Sequence, residues 1–315
     1  VEDSYVRLYR GENGIFPKCK PSIFRQNITQ EQLFIEKLLF YEFENIVKNH
    51  PIVKQIFLKN NFRIDYLGLA QHYGLKTNIL DLTSDIVIAL FFATCDYEAN
   101  ENFGVYSPFD QVGTRKGSIY LIYTPITSQS TIKIWGDRIN PIGLQPFKRP
   151  GNQKGFSFFL KEGEELNDFS GVYKYIFDYT KEDSFYFYKK FQTGKKLWDN
   201  DPILQIIAKI KKEKNISYLS LLKCIKEFNI PKQKINSYKK ILHENDFNFR
   251  KGKCNYYSKK QLQKIIRNFN ENEFWNSIVK RRMVVGKKQY SCVTLDFINY
   301  SVMMNMFQGV YARKS

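Results

Sequence analysis

The sequence has no apolar run near the roughly 20 residues that a membrane helix needs. Its longest, Ile86 to Ala93, has the length of a buried helix. Histidine is scarce: His50, His72 and His243 stand apart, and no cysteine–histidine spacing suggests zinc. The five cysteines, Cys19, Cys95, Cys224, Cys254 and Cys292, are scattered and odd in number, which argues against a disulfide framework. A Walker loop, a GxGxxG fingerprint, a Gly-x-Ser-x-Gly elbow and an HExxH pair are all missing. There is no signal-peptide pattern and no internal repeat, so a cytoplasmic, reducing setting is the expectation.

What is present is an ordinary hydrophobic share, 43%, with many aromatics, 27 Phe and 21 Tyr. The 315 residues can bury a sizeable core. The net charge of +18 is unevenly placed: Gln205 to Gln289 holds 22 Lys/Arg against 6 Asp/Glu, a local +16, which leaves +2 for the rest. Such asymmetry points to two regions, of which 205–289 suits a nucleic acid or an acidic protein partner. A Lys-rich solvated surface reads the same way, because charge alone carries no specificity.

Periodicity predicts a short strand over Tyr5 to Arg10, ending at Gly11. An amphipathic helix over Thr29 to Asn49 follows, with Thr29 as cap and Gln32 three residues on. Pro51 to Asn60 predicts a further helical turn or two, and Arg63 to Tyr73 a helix stopped by Gly74. Asn78 to Leu82 predicts a strand, and Asp85 to Cys95 a helix capped by Thr83 or Ser84. Glu98 to Lys116 reads as a polar loop and Gly117 to Thr124 as the clearest strand. Ile126 to Ile134 reads as strand or short helix, and Gly155 to Leu160 as a core strand. The aromatic stretches Tyr173 to Tyr179 and Ser184 to Phe191 fit either strand or helix. Beyond Trp198, helical periods recur over Ile203 to Lys212, Ser217 to Phe228, Lys234 to His243 and Ser258 to Phe269. The expected architecture is therefore α+β: a mixed or antiparallel sheet with flanking helices over 1–195, then a basic, mainly helical region over 196–315.

Several polar residues stand where elements end. Arg10 closes a strand beside Gly11, where a guanidinium can hold a phosphate or carboxylate bidentately, or pair with Glu36, Glu42 or Asp81 in the interior. His72 and Tyr73 end a helix, and His72 can donate to a ligand or sit satisfied in the core. Asp81, Thr83 and Ser84 occupy a strand-to-helix turn whose free N–H groups can hold an anion; ordinary capping explains Thr83 and Ser84 equally well. Gln153, two residues before Gly155, can place its amide over a ligand or satisfy buried backbone. Lys234 to His243 could serve as the second helix of a helix-turn-helix, with Lys239 and Lys240 on phosphates.

Four stretches resemble the FRG family, named for a Phe/Tyr-Arg-Gly signature: Tyr9-Arg10-Gly11-Glu12, Pro21 to Arg25, the run LAQHYGLKTNILDLTSDIVIALFFA from Leu69 to Ala93, and RPGNQKGF from Arg149 to Phe156. The third is the most specific, and Leu82 stands where the family often has Trp. The same pattern is similar in outline to ADP-ribosyltransferases, where a first-strand Arg binds NAD, a second strand carries Ser or Thr, and a third supplies Glu. That resemblance implies Arg10, Gly11, Tyr73, Thr83 and Ser84 as the NAD-contacting set, and Arg10, His72, Asp81 and Gln153 as the catalytic set. It further implies an NAD-dependent transferase acting on a nucleic acid or protein, in a toxin or antiviral-defence setting. Gln153 stands at the third-strand position with no Glu-x-Glu or Gln-x-Glu, so Glu12 and Asp81 are the nearby carboxylates. The competing expectations are a non-catalytic FRG ligand-sensing module and a nucleic-acid binder working through the basic helices.

Overall fold

The computed structural model describes residues 5–25, 27–58, 64–98, 105–125, 134–142, 147–198, 202–251, 255–269, 282–285 and 288–291. Strand β1 (Tyr5–Glu12) alternates as expected, and it runs through Gly11 instead of ending there. Its buried Val6 and Leu8 face one core of the sheet, while Tyr9 and Gly11 face the other side. Helix α1 (Gln30–Asn49) starts with a full capping box: Thr29 accepts from the Gln32 backbone, and the Gln32 side chain accepts from Thr29. Helix α2 (Tyr66–His72) is capped by Asp65, and Gly74 follows at φ +74°, a conformation glycine adopts freely. Strand β2 (Ile79–Thr83) leads into helix α3 (Ile86–Thr94). The cap of α3 is Asp85, which accepts from Val87 N–H, so neither Thr83 nor Ser84 does that work.

The stretch expected as a polar loop, Glu98 to Lys116, is partly strand. Strand β3 (Cys95–Glu98) pairs with β4 (Val105–Pro108), and their Tyr97 and Tyr106 rings lie 4.9 Å apart. Cross-strand aromatic pairing supplies what the polar composition hides. Strand β5 (Thr114–Pro125) then begins earlier than its alternation suggests. Ile126 to Ile134 lies outside the described residues except for Ile134. Strand β6 (Ile139–Pro141), helix α4 (Lys148–Asn152), strand β7 (Gly155–Phe159) and strand β8 (Val172–Thr180) follow. Helix α5 (Lys181–Lys190) takes up most of the second aromatic stretch, started by a Thr180–Asp183 capping box.

One six-stranded sheet, in the order β6-β7-β2-β1-β5-β8, is antiparallel throughout. β1 and β5 pair over eight residues, from Tyr5↔Pro125 to Glu12↔Ser118. β1 and β2 share a single pair, Tyr9↔Thr83, so the two strands part beyond Tyr9, where Arg10 lies. Helix α3 packs on β1 so closely that a Cβ on Gly11 would come within 1.8 Å of the Ala89 carbonyl oxygen. The backbone beside Arg10 is thus filled by α3.

Helices α6 (Pro202–Glu213), α7 (Tyr218–Glu227), α8 (Ile235–Glu244) and α9 (Lys259–Asn268) realise the four helical periods. Ile207, Leu221, Cys224 and Leu242 of α6 to α8, with Tyr257 just ahead of α9, form one core with Phe34, Leu38 and Phe43 of α1 and Leu69 of α2. Glu42 of α1 is fully buried within it. Its carboxylate accepts from Ser217 N–H, Ser217 Oγ, Ser220 Oγ and Arg250 Nη2 at 2.7–3.0 Å. A buried carboxylate is tolerated because four donors surround it at the start of a helix. No helix among the described residues is long and apolar enough to cross a membrane.

Candidate functional site

Where β1 and β2 part, the Arg10 guanidinium lies between them. Its Nε and Nη2 both donate to Glu12 Oε1 at 3.3 Å, and Nη1 donates to the Asp81 carbonyl oxygen at 3.1 Å. Glu12 Oε1 also accepts from the Cys19 thiol at 3.4 Å, which anchors the Pro17–Pro21 loop over the strand end. Burial opposes the Arg10 charge, yet Cys19, Glu12 and Asp81 together raise its pKa. Of these three, Glu12 and Asp81 matter at neutral pH. Burial, against the pull of Arg10, pushes the Cys19 thiol up to about 11 and keeps it protonated.

Asp81 connects Arg10 to His72. Its backbone carbonyl meets the guanidinium, and its Oδ1 stands 3.6 Å from His72 Nε2, beyond hydrogen-bond reach. The Asp81 carboxyl is 34% exposed, although Oδ1 itself is sealed. The three expected residues Arg10, His72 and Asp81 therefore meet, with Asp81 as the link. Gly155 of β7 backs His72: a Cβ there would come within 3.0 Å of Nε2.

Four buried polar atoms around this link have no hydrogen-bond partner: Glu12 Oε2, His72 Nε2, Asp81 Oδ1 and the Tyr120 hydroxyl. Tyr120 is the β5 residue directly opposite Arg10, so both side chains rise from one face. Its burial, with Glu12 beside it, raises the phenol pKa. Two further residues feel this cluster electrostatically. Arg25 is exposed and its Nε donates to the Lys20 carbonyl oxygen, while desolvation and the like charge of Arg10 lower its pKa. Tyr106 feels Asp81 and Arg10 electrostatically, and burial raises its pKa. Its ring lies 4.5 Å from Trp198 and 5.7 Å from Phe92, forming an aromatic wall.

The other expected residues serve the framework. Thr83 Oγ1 donates to the Gln153 carbonyl oxygen at 2.7 Å and accepts from Asp85 N–H at 3.1 Å. Ser84 N–H donates to the Lys154 carbonyl oxygen, tying the turn to α4. Gln153 Nε2 donates to the Leu197 carbonyl oxygen at 3.2 Å, and no hydrogen bond among the described residues joins its side chain to Arg10, His72 or Asp81. Tyr73 is buried among Phe43, Phe147 and the Arg149 guanidinium in the helical core. Periodicity offered no sign of Cys19, Tyr120 or Tyr106 as site residues. Tyr120 could have been found from a strand-register argument that placed it opposite Arg10.

Fold and site together define an α+β protein with a buried polar cluster at the parting of two antiparallel strands. Residues 6–102 match the FRG domain family. The matched segment includes Arg10, Glu12, Cys19, Arg25, His72 and Asp81; the RPGNQKGF stretch lies beyond it. No curated protein and no solved structure matches the chain.

Proposed function

We propose that the site around Arg10 binds NAD and that the chain transfers ADP-ribose to a nucleic acid or protein acceptor, as an effector in a toxin or defence setting. The observation that carries this reading is a cluster of sealed polar atoms near Arg10 without a hydrogen-bond partner, Glu12 Oε2, the Tyr120 hydroxyl and the facing pair His72 Nε2 and Asp81 Oδ1 at 3.6 Å. Each such atom costs about 1–3 kcal/mol when left unpaired. Four in one place suit a ligand rich in hydroxyl and amide groups. The residues fit a dinucleotide: Arg10 and Arg25 suit phosphate charge, Glu12 and Asp81 suit ribose hydroxyls, and the Tyr106–Trp198 wall suits a flat ring. NAD, when bound, supplies an ADP-ribosyl group by losing nicotinamide. Within the chain, Arg10 and Cys19 hold the Glu12 carboxylate in place. A fixed negative charge there, with Asp81 nearby, favours positive charge developing at the ribosyl carbon.

The test is nicotinamide release by the purified protein, with NAD binding followed by calorimetry. R10K should lose most binding, since an ammonium cannot reproduce the guanidinium's paired donors. E12Q should bind NAD but lower turnover about 100-fold or more, on the scale of losing one preorganised electrostatic group. A folded parent that neither binds nor cleaves NAD would overturn the proposal.

A second reading is favoured by the Arg10–Glu12 pair and by the commitment of Gln153 to Leu197. In it, the site senses a nucleotide without turning it over. NAD binding without nicotinamide release, equal in E12Q and parent, is its expected result.

A further inference from the structure

The sheet ends on β8, which pairs with β5 on one side and with no described strand on the other. Among the described residues, no turn or loop backbone hydrogen bond involves 173–179. This edge is nine residues long and rich in large side chains: Tyr173 is 50% exposed, Tyr175 55% and Ile176 51%. Soluble proteins usually shorten, charge, bend or cover such an edge, because its row of free N–H and C=O groups is a template for another strand. The only charged residues here are Lys174 and Asp178, four apart.

We propose that a second copy of this chain pairs with β8, antiparallel, about a two-fold axis through Ile176. The sequence of the strand selects both occupant and register. With the axis at Ile176, Lys174 of one copy stands opposite Asp178 of the other, and the same contact recurs across the axis. Tyr175 stands opposite Phe177 of the second copy. Opposite charges and aromatic pairs directly across an antiparallel ladder stabilise it. Moving the axis one residue, to Tyr175 or Phe177, sets Lys174 against Ile176 or Thr180 and leaves the charges unmatched. An isologous contact of this kind is the commonest way a chain forms a closed dimer.

Lys174 can also be read as a residue that guards the edge, since edge lysines discourage pairing. Its ammonium is already turned to the Phe16 carbonyl oxygen at 2.7 Å and over the Tyr120 ring. Asp178 is held by Lys116 at 2.9 Å on an exposed site, where the pair can share a second lysine with little loss. Pairing joins two six-stranded sheets into one of twelve. The contact is small, so it belongs with weak interfaces, and a dissociation constant of roughly 10 µM is the expectation.

The full chain is measured by light scattering behind size exclusion at about 100 µM, roughly tenfold above that constant. The parent should run as a dimer that dissociates on dilution. I176K sets two ammonium groups against each other on the axis and should run as a monomer with an unchanged melting temperature. I176C tests the register, because directly opposed residues have Cα atoms about 4.5–5.5 Å apart, within disulfide reach. Under mild oxidation it should cross-link about tenfold or more faster than Y186C, a site 59% exposed on the neighbouring helix. A monomeric parent, a dimer indifferent to I176K, or I176C cross-linking no faster than Y186C would each overturn the proposal.

Discussion

Arg10 and His50 show how differently two buried polar residues can be settled. Arg10 is surrounded by acceptors, so its charge is stabilised and its strand end becomes a site. His50, at the C-terminal end of α1, has aromatic neighbours, Phe147 at 5.0 Å and Tyr257 at 5.6 Å, and its Nδ1 has no partner. Burial alone brings its pKa from the ordinary 6.5 down to about 4. The sign follows directly. The unfolded chain takes up a proton below pH 6.5 that the folded chain refuses until about 4, so stability falls as pH drops through that window. The loss is on the order of 3 kcal/mol for a shift of this size. H50F keeps an aromatic ring and has nothing to protonate. Urea unfolding at pH 7.5 and 4.5 should show a smaller acid loss in H50F than in the parent. An equal loss would mean that other groups dominate the acid limb.

Elements are joined here by a few specific contacts. The α1 capping box and the alternation of β1 are local, and both follow from neighbouring residues. The junction of α1 with α7 is of another kind. Glu42 meets Ser217 and Ser220, about 175 residues further on, and Arg250, which strand β10 (Asn248–Arg250) carries beside β9 (Asn215–Ser217). Removing the carboxylate leaves a buried helix-start N–H and two buried hydroxyls without this acceptor and takes one partner from the part-buried Arg250 guanidinium. E42A should therefore cost about 3–5 kcal/mol, the scale for breaking a buried charged network. Hydrogen exchange should rise first in 215–227 and 248–250, before the sheet opens. Uniform exchange across the chain would mean that the node is not a separate joint. Residue chemistry alone allows Glu42 to pair with Arg10; the fold gives it Arg250, because only packing decides which distant cation arrives.

At the scale of the whole molecule, charge and core are distributed differently. The excess positive charge lies in 205–289, yet the buried faces of its described helices belong to the same core as α1 and α2. What remains outward is basic. Lys260, Lys264 and Arg267 are exposed along one side of α9, opposite Leu262 and Ile265. Spacing of four and three residues puts such cations in a row. We expect this row to bind polyanions, with log affinity falling steeply against log salt. Reversing all three charges should weaken binding to a heparin column or single-stranded RNA. It should also flatten the salt slope by about two to three, near the number of phosphates that three cations neutralise. Binding unchanged by the reversal would place the anion elsewhere.

Most element positions follow from the order of residues alone. Capping residues, apolar periods and turn glycines act over a few positions, and their physics is local. Arg10 beside Gly11 and His72 two residues before Gly74 stand out in the same way, and Asp81 through the LAQHYGLKTNILDLTSD run that carries it, so all three are legible without coordinates. The meeting of these three through one aspartate is a product of the folded arrangement, since it depends on β1 and β2 parting after a single pair. So are the placing of Tyr120 opposite Arg10, the closing of Cys19 over Glu12 and the turning of Gln153 toward Leu197. Strand register and loop closure join residues tens of positions apart. Their outcome is set by which buried groups find partners, a balance that no local pattern contains.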